Sequence, residues 1–359
     1  MSKVRVGVLI PAYQAEAFVA TAIESVLAQT WNGEIEILVL DDASTDDTAG
    51  AVAPFLDDPR VHYRRNDKNL GMSGNWNRGL SMLDQPLVAK LDADDFWHPD
   101  FLAETVPALA RQPNVGLVFT AITRRIATTG EDELFRPYTS SWCMQGHAFR
   151  AHLVRWLTAW GSAMLVRREC YDRLGGFLDA MRIHSDWEMW VRIVSHYDAA
   201  YVDRPLCTML RHPQSCTSQA AADTRSTDDL ALWLGRLDLG ALPYTLEADD
   251  RRGLEAAMLR MTRHRLFAAL GPTVAERGSD VTAAACLDFL ATRSSLVPWW
   301  ERRRFALARD LLHAALPSAA RLALRGSRST ARAWPLEPIL GQKKGAADPD
   351  RALGRRHLV

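Results

Sequence analysis

Short apolar runs alternate with helical patterns over the first hundred residues of the chain. Four of the runs are rich in β-branched residues and are predicted strands: Val4 to Ile10, Ile35 to Leu40, Val61 to Arg64 and Leu87 to Leu91. Helical spacing occupies two of the intervals, Phe18 to Gln29 and Asn75 to Leu83. This alternation predicts an α/β fold, with a mostly parallel sheet flanked by crossover helices. Because the runs are almost continuously hydrophobic, we expect both faces of the sheet to be covered.

Polar clusters follow three of the predicted strands at the point where each strand ends. Pro11-Ala12-Tyr13 follows the first strand, Asp41-Asp42-Ala43-Ser44 the second, and Asp92-Ala93-Asp94-Asp95 the fourth. The carboxyl ends of parallel strands lie at one edge of a sheet, where ligand crevices form. We therefore expect the three clusters to converge on one site.

The pattern becomes less regular beyond about Val115. Three strands and two helices are predicted there: Val115 to Thr120, Ala163 to Val166 and Ala199 to Val202, then Arg168 to Leu174 and Asp186 to Ser195. Ser44 and Asp46 are predicted N-caps of a helix that ends near Phe55. A first domain is expected over residues 1–225, a helical region over 226–325 and a flexible tail over 326–359.

Composition narrows the class of protein. The chain has 359 residues and a balanced charge, with 43 Lys and Arg against 43 Asp and Glu, so nothing indicates a nucleic-acid partner. Its five cysteines contain no CxxC pair, which argues against a zinc knuckle and favours a reducing cytosol. No signal-peptide pattern is present, and no apolar run approaches the roughly 20 residues of a membrane-spanning helix. A cytoplasmic location is expected.

The cluster Asp92-Ala93-Asp94-Asp95 carries the strongest chemical signal. Carboxylates that leave a buried strand together repel one another unless a cation or hydrogen-bond donors compensate. Oxygen ligands suit Mg²⁺ or Mn²⁺, and these ions often bridge to phosphate oxygens in proteins. A diphosphate ligand is therefore expected at this cluster. The alternative is a capping turn for a helix that begins near Pro99.

Five segments, in their order and spacing, resemble glycosyltransferase family 2, whose members have the GT-A fold: Val8 to Tyr13, Ser25 to Thr30, Asp41 to Asp46, Asn69 to Gly71 and Leu91 to Asp95. The similarity continues more weakly through Gly175 to Phe177, Asp186 to Arg192 and Arg211 to His212. It covers about Lys3 to Ser218. The resemblance implies an inverting enzyme that uses a nucleotide-sugar donor.

By this resemblance, the first half of the chain binds the nucleotide. Tyr13 would stack on or flank the base, Asp42 would accept a hydrogen bond from it, Asp92 would contact the ribose, and Asp94 would hold Mn²⁺ or Mg²⁺. Further nucleotide contacts are expected from Pro11, Glu16, Asn77, Lys90 and Ala93. The alternatives are core packing for Tyr13, helix capping for Glu16, and a solvated or capping role for Asn77 and Lys90. Trp76 stands where many relatives have Arg, so the identity of the base stays open.

Sugar transfer with inversion requires a general base that removes the proton of the acceptor hydroxyl. Family 2 members often carry a Glu-Asp pair at the start of a late helix, and Ser185-Asp186 matches that pair with Ser in place of Glu. Asp186 is therefore the predicted base, and Glu188 is the nearby substitute. The alternative is that Asp186 only caps its helix.

Further site candidates are expected, most of them in the second half of the first domain. Four side chains are candidates for contact with the donor sugar or the acceptor: Asp95, Trp187, Glu188 and Arg211. Trp187 could equally pack in the core, and Arg211 could neutralise the leaving diphosphate. His212 matches a late metal or diphosphate contact of many GT-A enzymes, with a surface or packing role as the alternative. Mn²⁺ accepts imidazole more readily than Mg²⁺ does.

The preferred interpretation is a cytoplasmic glycosyltransferase with a nucleotide-binding half, residues 1–98, and an acceptor-binding half, residues 99–225. A UDP-sugar donor and a glycan or lipid-linked glycan acceptor are expected. One alternative is an inactive module that binds nucleotide sugars or glycans, which Ser185 keeps open. The other is a nucleotidyltransferase, which would ordinarily need a Gly-rich basic loop that Pro11 to Glu16 lacks.

The C-terminal region contains the only basic stretch of the chain. Residues Trp299 to Ala333 hold eight arginines against two acids, Glu301 and Asp310. Four apolar residues before Pro317 share one helical face: Phe305, Ala308, Leu312 and Leu316. An amphipathic helix lying on an anionic membrane surface would explain this pattern and would place the protein at the inner face of the membrane. The alternative is a helix docked on the catalytic domain.

Overall fold

The structure is a computed structural model that describes residues 4–155, 159–216, 218, 225–238, 240–257 and 356–357. The chain divides into two compact units. One comprises residues 1–153, 157–212 and 345–359, and the other comprises residues 154–156 and 213–344. Every residue predicted for the site lies in the first unit. The boundary at residue 225 stays a prediction.

The first unit is built around one sheet. Its strands in the described residues are β1 (Arg5–Ala12), β2 (Glu34–Asp41), β3 (Val61–Arg65), β4 (Leu87–Lys90), β5 (Phe96–Trp97), β6 (Val115–Ile126), β7 (Asp132–Phe135), β8 (Trp142–Met144), β9 (Met164–Arg167), β10 (Asp198–Arg211) and β11 (Arg356–His357). The order is β3-β2-β1-β4-β9-β6-β10-β8-β11, with β5 on β10 and β7 on β6.

Helices cover this sheet and occupy the second unit. They are α1 (Val19–Leu27), α2 (Thr48–Val52), α3 (Met72–Met82), α4 (Phe101–Ala110), α5 (Gly146–Leu153), α6 (Arg168–Leu174), α7 (Ser185–Val194) and, in the second unit, α8 (Arg225–Asp238). Residues 248–257 are also helical. The α6 helix has the predicted bounds.

The predicted α/β fold is confirmed, and the strand directions add one correction. Strands β1 to β4 are parallel, as expected from their buried apolar runs. Strand β9, however, lies antiparallel between β4 and β6, so the sheet as a whole is mixed. A hydrophobic run shows that a strand is buried but does not show its direction, which the connections between strands decide.

The core forms where α1 and α3 pack on the first strands. The α1 helix buries Val19, Ala22, Ile23 and Val26, which recur every three to four residues and therefore share one helical face. The α3 helix approaches β1 at a glycine, because a Cβ at Gly79 would lie 2.3 Å from Leu9 Cδ1. Parallel pairing of β1 with β2 and with β4 places the carboxyl ends of these strands at a common edge.

The helix after β2 begins later than predicted. Its N-cap is Asp47, whose carboxylate accepts the Gly50 amide at 3.2 Å, and not Ser44 or Asp46. The helix becomes a 3₁₀ turn at Ala53–Phe55, where Pro54 lacks the amide that would continue the ladder. The two predicted caps instead hold the loop after β1: Ser44 Oγ accepts the Gln14 amide and Asp46 Oδ2 accepts the Glu16 amide, each at 3.0 Å.

Strands β6 and β10 extend well past their predicted ends at Thr120 and Val202. They pair in parallel up to Ile126 and Arg211, with irregular register around Pro205. Their outer halves show no regular hydrophobic alternation, so it is the pairing between the two strands that makes them extended. As a result, Arg211 and His212 lie at the end of a long strand.

Much of the predicted C-terminal region lies outside the described residues. This applies to the basic stretch Trp299 to Ala333 and to most of the predicted tail. Among the described residues, no helix has both the length and the apolar character that crossing a membrane requires.

Candidate active site

The loops after β1 and β2 bind each other beside the sheet edge. The Gln14 amide donates to Ser44 Oγ at 3.0 Å, and Glu16 Oε2 accepts the Asp47 amide at 2.8 Å. Gln14 itself has a positive φ of 53°, so the chain turns sharply at this point. Glu16, predicted as a nucleotide contact, therefore has a structural task in holding this loop.

Tyr13 lies on this turn with its ring exposed. The residue is 54% exposed, whereas the neighbouring Ala12 is buried. Core packing, the alternative for Tyr13, is therefore excluded, and an exposed aromatic ring at the carboxyl end of β1 can stack on a planar ligand. Pro11 and Ala93, two other predicted contacts, are buried, so any contact they make with a nucleotide involves little of their side chains.

Asp42 organises the next loop of the site. It is 3% exposed, and its carboxylate accepts the Asn66 side-chain amide at 2.7 Å and the backbone amides of Leu70 and Gly71 at 2.8 and 3.0 Å. Three donors thus compensate the charge of this buried carboxylate. A hydrogen bond from Asp42 to a base, predicted from the sequence, would use a remaining lone pair and stays a prediction.

The carboxylates of Asp92, Asp94 and Asp95 point to three different partners. Asp92 accepts Lys90 Nζ at 2.5 Å, Asp94 Oδ2 lies 3.0 Å from His212 Nε2, and Asp95 accepts the Leu210 amide at 3.0 Å. None of them caps a helix, because α4 begins at Phe101. The capping alternative for this cluster is therefore wrong.

Asp95 has an internal role that differs from the predicted sugar contact. It is 4% exposed, and its hydrogen bond to Leu210 ties the carboxylate cluster to β10. Burial, together with the charges of Asp94 and Asp92, raises the pKa of Asp95 well above its usual value. The residue therefore positions the end of β10, next to which His212 lies.

Asp94 and His212 form a pair with the properties of metal ligands. Burial raises the pKa of Asp94, the charge of Asp92 raises it further, and the contact with His212 opposes both. A cation would relieve this repulsion. The His212 ring is buried against Phe18, with ring centroids 4.6 Å apart, so its orientation is restrained from a second side.

Asp94 and His212 suit Mn²⁺ as two of its ligands, with the remaining ligands supplied from outside the protein. One carboxylate oxygen and one imidazole nitrogen suit Mn²⁺, which tolerates both kinds of ligand. No group of three or more His, Cys, Asp or Glu side chains within the described part of the chain is arranged to hold an ion. An ion bound by Asp94 and His212 would therefore take its other ligands from water or from substrate oxygens.

Asp186 lies in the first turn of α7, two residues after the N-cap residue His184. Its Oδ1 accepts the Trp187 amide at 2.7 Å, so Asp186 also satisfies a free amide at the start of the helix, as the capping alternative predicts. Burial raises the pKa of Asp186 to about 6, the nearby Lys90 ammonium opposes this shift, and the charge of Asp92 adds to it. A half-buried carboxylate with this pKa is suited to accept a proton near neutral pH.

The neighbours of Asp186 on α7 point into the protein interior. Glu188 and Arg192 form a fully buried ion pair, and Arg192 also donates to the carbonyls of Leu174 and Gly176. Trp187 is 1% exposed, and its indole donates to the Leu153 carbonyl at 2.8 Å. The predicted sugar contacts of Glu188 and Trp187 are therefore wrong, because both side chains pack inside the fold.

Asn77 holds a loop and has no free amide donor for a nucleotide. Its Nδ2 donates to the Phe177 carbonyl at 2.8 Å and to Asp179 Oδ1 at 2.6 Å, and its Oδ1 accepts the Phe177 amide at 2.7 Å. These bonds pin the 177–179 loop to α3. The structure therefore disagrees with the nucleotide contact predicted for Asn77.

Arg211 is exposed at the end of β10. It lies close enough to Arg124 for the two charges to repel, which contributes to a lowered pKa of Arg124 after the larger effect of burial. An anion near this pair would reduce the repulsion. The predicted contact of Arg211 with a diphosphate stays a prediction.

Two residues of the site carry no signal in the sequence. Ser162 donates to Asp92 Oδ2 at 3.1 Å and accepts the Asp92 amide at 3.2 Å. Gly161 borders both Lys90 and Asp186. They belong to a short 3₁₀ turn before β9, which reaches the site only because β9 pairs with β4.

Comparison with known proteins gives a family match for the first half of the chain. Residues 7–175 match the model of Glycosyl transferase family 2. The chain is 37% identical over 92 residues to the Escherichia coli UDP-Glc:alpha-D-GlcNAc-diphosphoundecaprenol beta-1,3-glucosyltransferase WfgD. The aligned segment covers 26% of this chain and 36% of that protein. The chain spans 27% to 35% of the length of the first curated relatives that it matches.

Two kinds of solved structure share the fold. S. aureus TarS 1–349 in complex with UDP-GlcNAc superposes with a TM-score of 0.61 at 15% identity, covering 91% of this chain and 92% of that chain. The mannosyltransferase PcManGT from Pyrobaculum calidifontis, in complex with GDP-Man and Mn²⁺, gives 0.50 at 16% identity, covering 94% and 89%. Residues 7–175 therefore form a glycosyltransferase domain of family 2, and the fold of the chain is that of the GT-A enzymes.

Proposed function

We propose that the protein is an inverting glycosyltransferase that moves a sugar from a UDP-sugar to a hydroxyl of a glycan or lipid-linked glycan. One observation carries the proposal. Asp186, a half-buried carboxylate with a pKa raised to about 6, lies within electrostatic reach of Asp92 in the carboxylate cluster that includes the Asp94–His212 pair. Inverting transfer requires a general base, and a cation held by Asp94 and His212 would neutralise the leaving diphosphate.

The donor site would use the residues at the ends of β1 and β4. The exposed ring of Tyr13 would stack on the base, and Asp92 would contact the ribose. TarS, crystallised with UDP-GlcNAc, and WfgD, named for UDP-Glc, support a uridine nucleotide. PcManGT carries GDP-Man on the same fold, so a guanosine donor is the comparison that an experiment must include.

Asp94 and His212 would hold Mn²⁺ or Mg²⁺. When bound, the ion supplies positive charge to the diphosphate. The pair fits this task because its oxygen and nitrogen lie 3.0 Å apart and leave other coordination positions for substrate oxygens. Arg211, exposed beside His212, would add a second positive charge to the leaving diphosphate.

In the proposed reaction, the Asp186 carboxylate removes the proton of the acceptor hydroxyl. The acceptor oxygen forms a bond to the anomeric carbon while the bond from that carbon to the diphosphate oxygen breaks. The bonding electron pair leaves with the diphosphate, and in-line attack inverts the anomeric configuration. The printed name of WfgD, which includes diphosphoundecaprenol, supports a lipid-linked acceptor.

The test combines calorimetry with a donor-hydrolysis assay. We expect UDP to bind more tightly with Mn²⁺ than without it, and we expect Asp94→Ala to abolish this difference while the fold is retained. The exposed Asp57 provides the control Asp57→Ala, which should behave as wild type. Slow hydrolysis of a UDP-sugar, but not of a GDP-sugar, should accompany binding.

Two results would contradict the proposal. The first is equal UDP affinity with and without metal in both the wild type and Asp94→Ala, which would show that Asp94 and His212 do not bind a metal ion that contacts UDP. Metal-dependent binding of UDP without turnover of any donor, with glycan and lipid-linked acceptors supplied, would favour an inactive binding module.

A further inference from the structure

Lys90 is a buried cation in the middle of the candidate site. It is 5% exposed at the end of β4, and its ammonium lies 2.5 Å from Asp92 Oδ1. On another side, the ammonium lies over the ring of Trp76, 4.1 Å from the centroid. Trp76 is itself 4% exposed, so the surrounding side chains restrict the orientation of its ring. A lysine held in this way cannot swing out to meet a ligand in solvent.

The surroundings of Gly161 show that Asp186 also lies near this ammonium. A Cβ at Gly161 would lie 3.1 Å from Lys90 Nζ and 3.4 Å from Asp186 Oδ2. The ammonium and the carboxylate therefore border the same small space, which the glycine leaves open. The Lys90 ammonium is thus paired with Asp92 and also lies near Asp186, whose ionisation its charge favours.

We propose that Lys90 is a positioning residue that keeps Asp186 ionised and aligned with the nucleotide-binding Asp92. The proposal rests on the proposed function of Asp186 as general base. The direct nucleotide contact predicted for Lys90 stays a prediction, and the role proposed here acts through Asp92 and Asp186. The ring face of Trp76 holds the ammonium without bringing a second cation to the site.

The charges that face Asp186 make the direction of this effect clear. Burial and the negative charge of Asp92 favour the protonated form of Asp186, whereas the Lys90 ammonium and the Trp187 amide favour the ionised form. Among the groups that favour the ionised form of Asp186, Lys90 has the largest effect. Without its charge, Asp186 would keep its proton to higher pH and would be inactive as a base over part of the neutral range.

The test is the pH dependence of kcat in three variants of the full chain. In the wild type, kcat should rise with pH and reach half its plateau near pH 6. Lys90→Met removes the charge at similar length, and the acid limb should move up by about one pH unit. At pH 6, kcat should then be about fivefold lower than in the wild type, and it should recover above about pH 8.

Two comparisons separate this effect from a general loss of structure. Lys90→Arg keeps the charge, so its acid limb should stay at the wild-type pH even if the plateau is lower. Lys68→Met removes an exposed lysine that is not among the charges acting on Asp186, and its profile should be that of the wild type. Recovery of Lys90→Met at alkaline pH would itself show that the variant is folded.

The proposal is overturned if Lys90→Met lowers kcat equally at every pH, because Lys90 would then act through Asp92 alone. It is also overturned if Lys90→Arg shifts the limb as far as Lys90→Met. The proposed function can fail separately. If Asp186→Asn keeps wild-type turnover, Asp186 is not the base, whatever the Lys90 profiles show.

Discussion

At the scale of single residues, the site is a set of carboxylates held close together by a few donors. Asp42 and Asp95 are buried and bind backbone amides, whereas Asp92, Asp94 and Asp186 remain partly accessible. The first two therefore shape loops and strands, and the last three are available to a ligand. The chemical proposal depends on this division.

Asp186→Asn should separate the base from a helix cap. Asn is as good a cap as Asp and has almost the same shape, so the fold should be retained. Loss of a general base typically lowers kcat by about 10²- to 10⁴-fold, and affinity for UDP with Mn²⁺ should change little. Steady-state kinetics and calorimetry measure both quantities.

Glu188→Gln is the matched change on the same helix. It breaks the buried ion pair with Arg192, so we expect a loss of about 3 kcal/mol of stability and a nearly normal kcat in the protein that remains folded. If Glu188→Gln abolishes turnover and Asp186→Asn is mild, the base has been assigned to the wrong carboxylate.

Asp186→Asn should also stabilise the protein. The folded state raises the pKa of Asp186 to about 6, so it binds the proton more tightly than the unfolded chain does. Stability contributed by the protonated form is therefore present at low pH and is lost between about pH 4 and pH 6. Urea unfolding should show the variant to be more stable than wild type by about 1 to 2 kcal/mol at pH 8, with the difference vanishing towards pH 4.

At the scale of elements, side chains from distant helices hold the loops of the site. Asn77 on α3 and Arg192 on α7 both bind near the end of α6. Asn77 binds Phe177, and Arg192 binds the carbonyls of Leu174 and Gly176. Loop residues without internal ladders need such partners for their amides and carbonyls. The start of α7, where Asp186 lies, depends on the same anchoring.

Asn77→Ala should therefore affect stability more than nucleotide binding. Removing its side chain leaves the amide and carbonyl of Phe177 without their partner, which should cost about 2 kcal/mol in urea unfolding. Arg78→Ala, an exposed position on the same helix, is the control and should change stability little. A large loss of UDP affinity with unchanged stability would instead restore the nucleotide contact predicted from the sequence.

At the scale of the whole molecule, the sequence predicts a membrane contact for the basic stretch Trp299 to Ala333, which lies outside the described residues. The membrane-surface interpretation predicts that the full chain floats with anionic vesicles and that added salt weakens this binding. Replacing Arg302, Arg303 and Arg304 by Glu should abolish flotation and leave UDP affinity unchanged. Flotation with neutral vesicles, or no flotation of the wild type, would favour a helix docked on the protein.

Much of the fold is predictable because its signals are local. Strands β1 to β4 and helix α6 follow from hydrophobic spacing within windows of a few residues. Hydrophobic spacing does not predict strand β7 or the outer halves of β6 and β10. It also does not predict that β9 runs antiparallel to β4 and β6. The extended form of these segments depends on partners elsewhere in the chain, so propensity and period contain little information about them.

The sequence by itself determined the α/β class, the family resemblance, the carboxylate cluster after β4 and the choice of Asp186, because each depends on residues that are neighbours along the chain. Only the tertiary structure decided that Glu188 and Trp187 face the interior, that Asn77 binds a loop, and that Gly161 and Ser162 belong to the site. The contacts that build the site join residues far apart, such as Asp92 with Ser162 over 70 positions and Asp94 with His212 over 118. Such pairs are brought together by strand order and packing, which a local pattern does not specify.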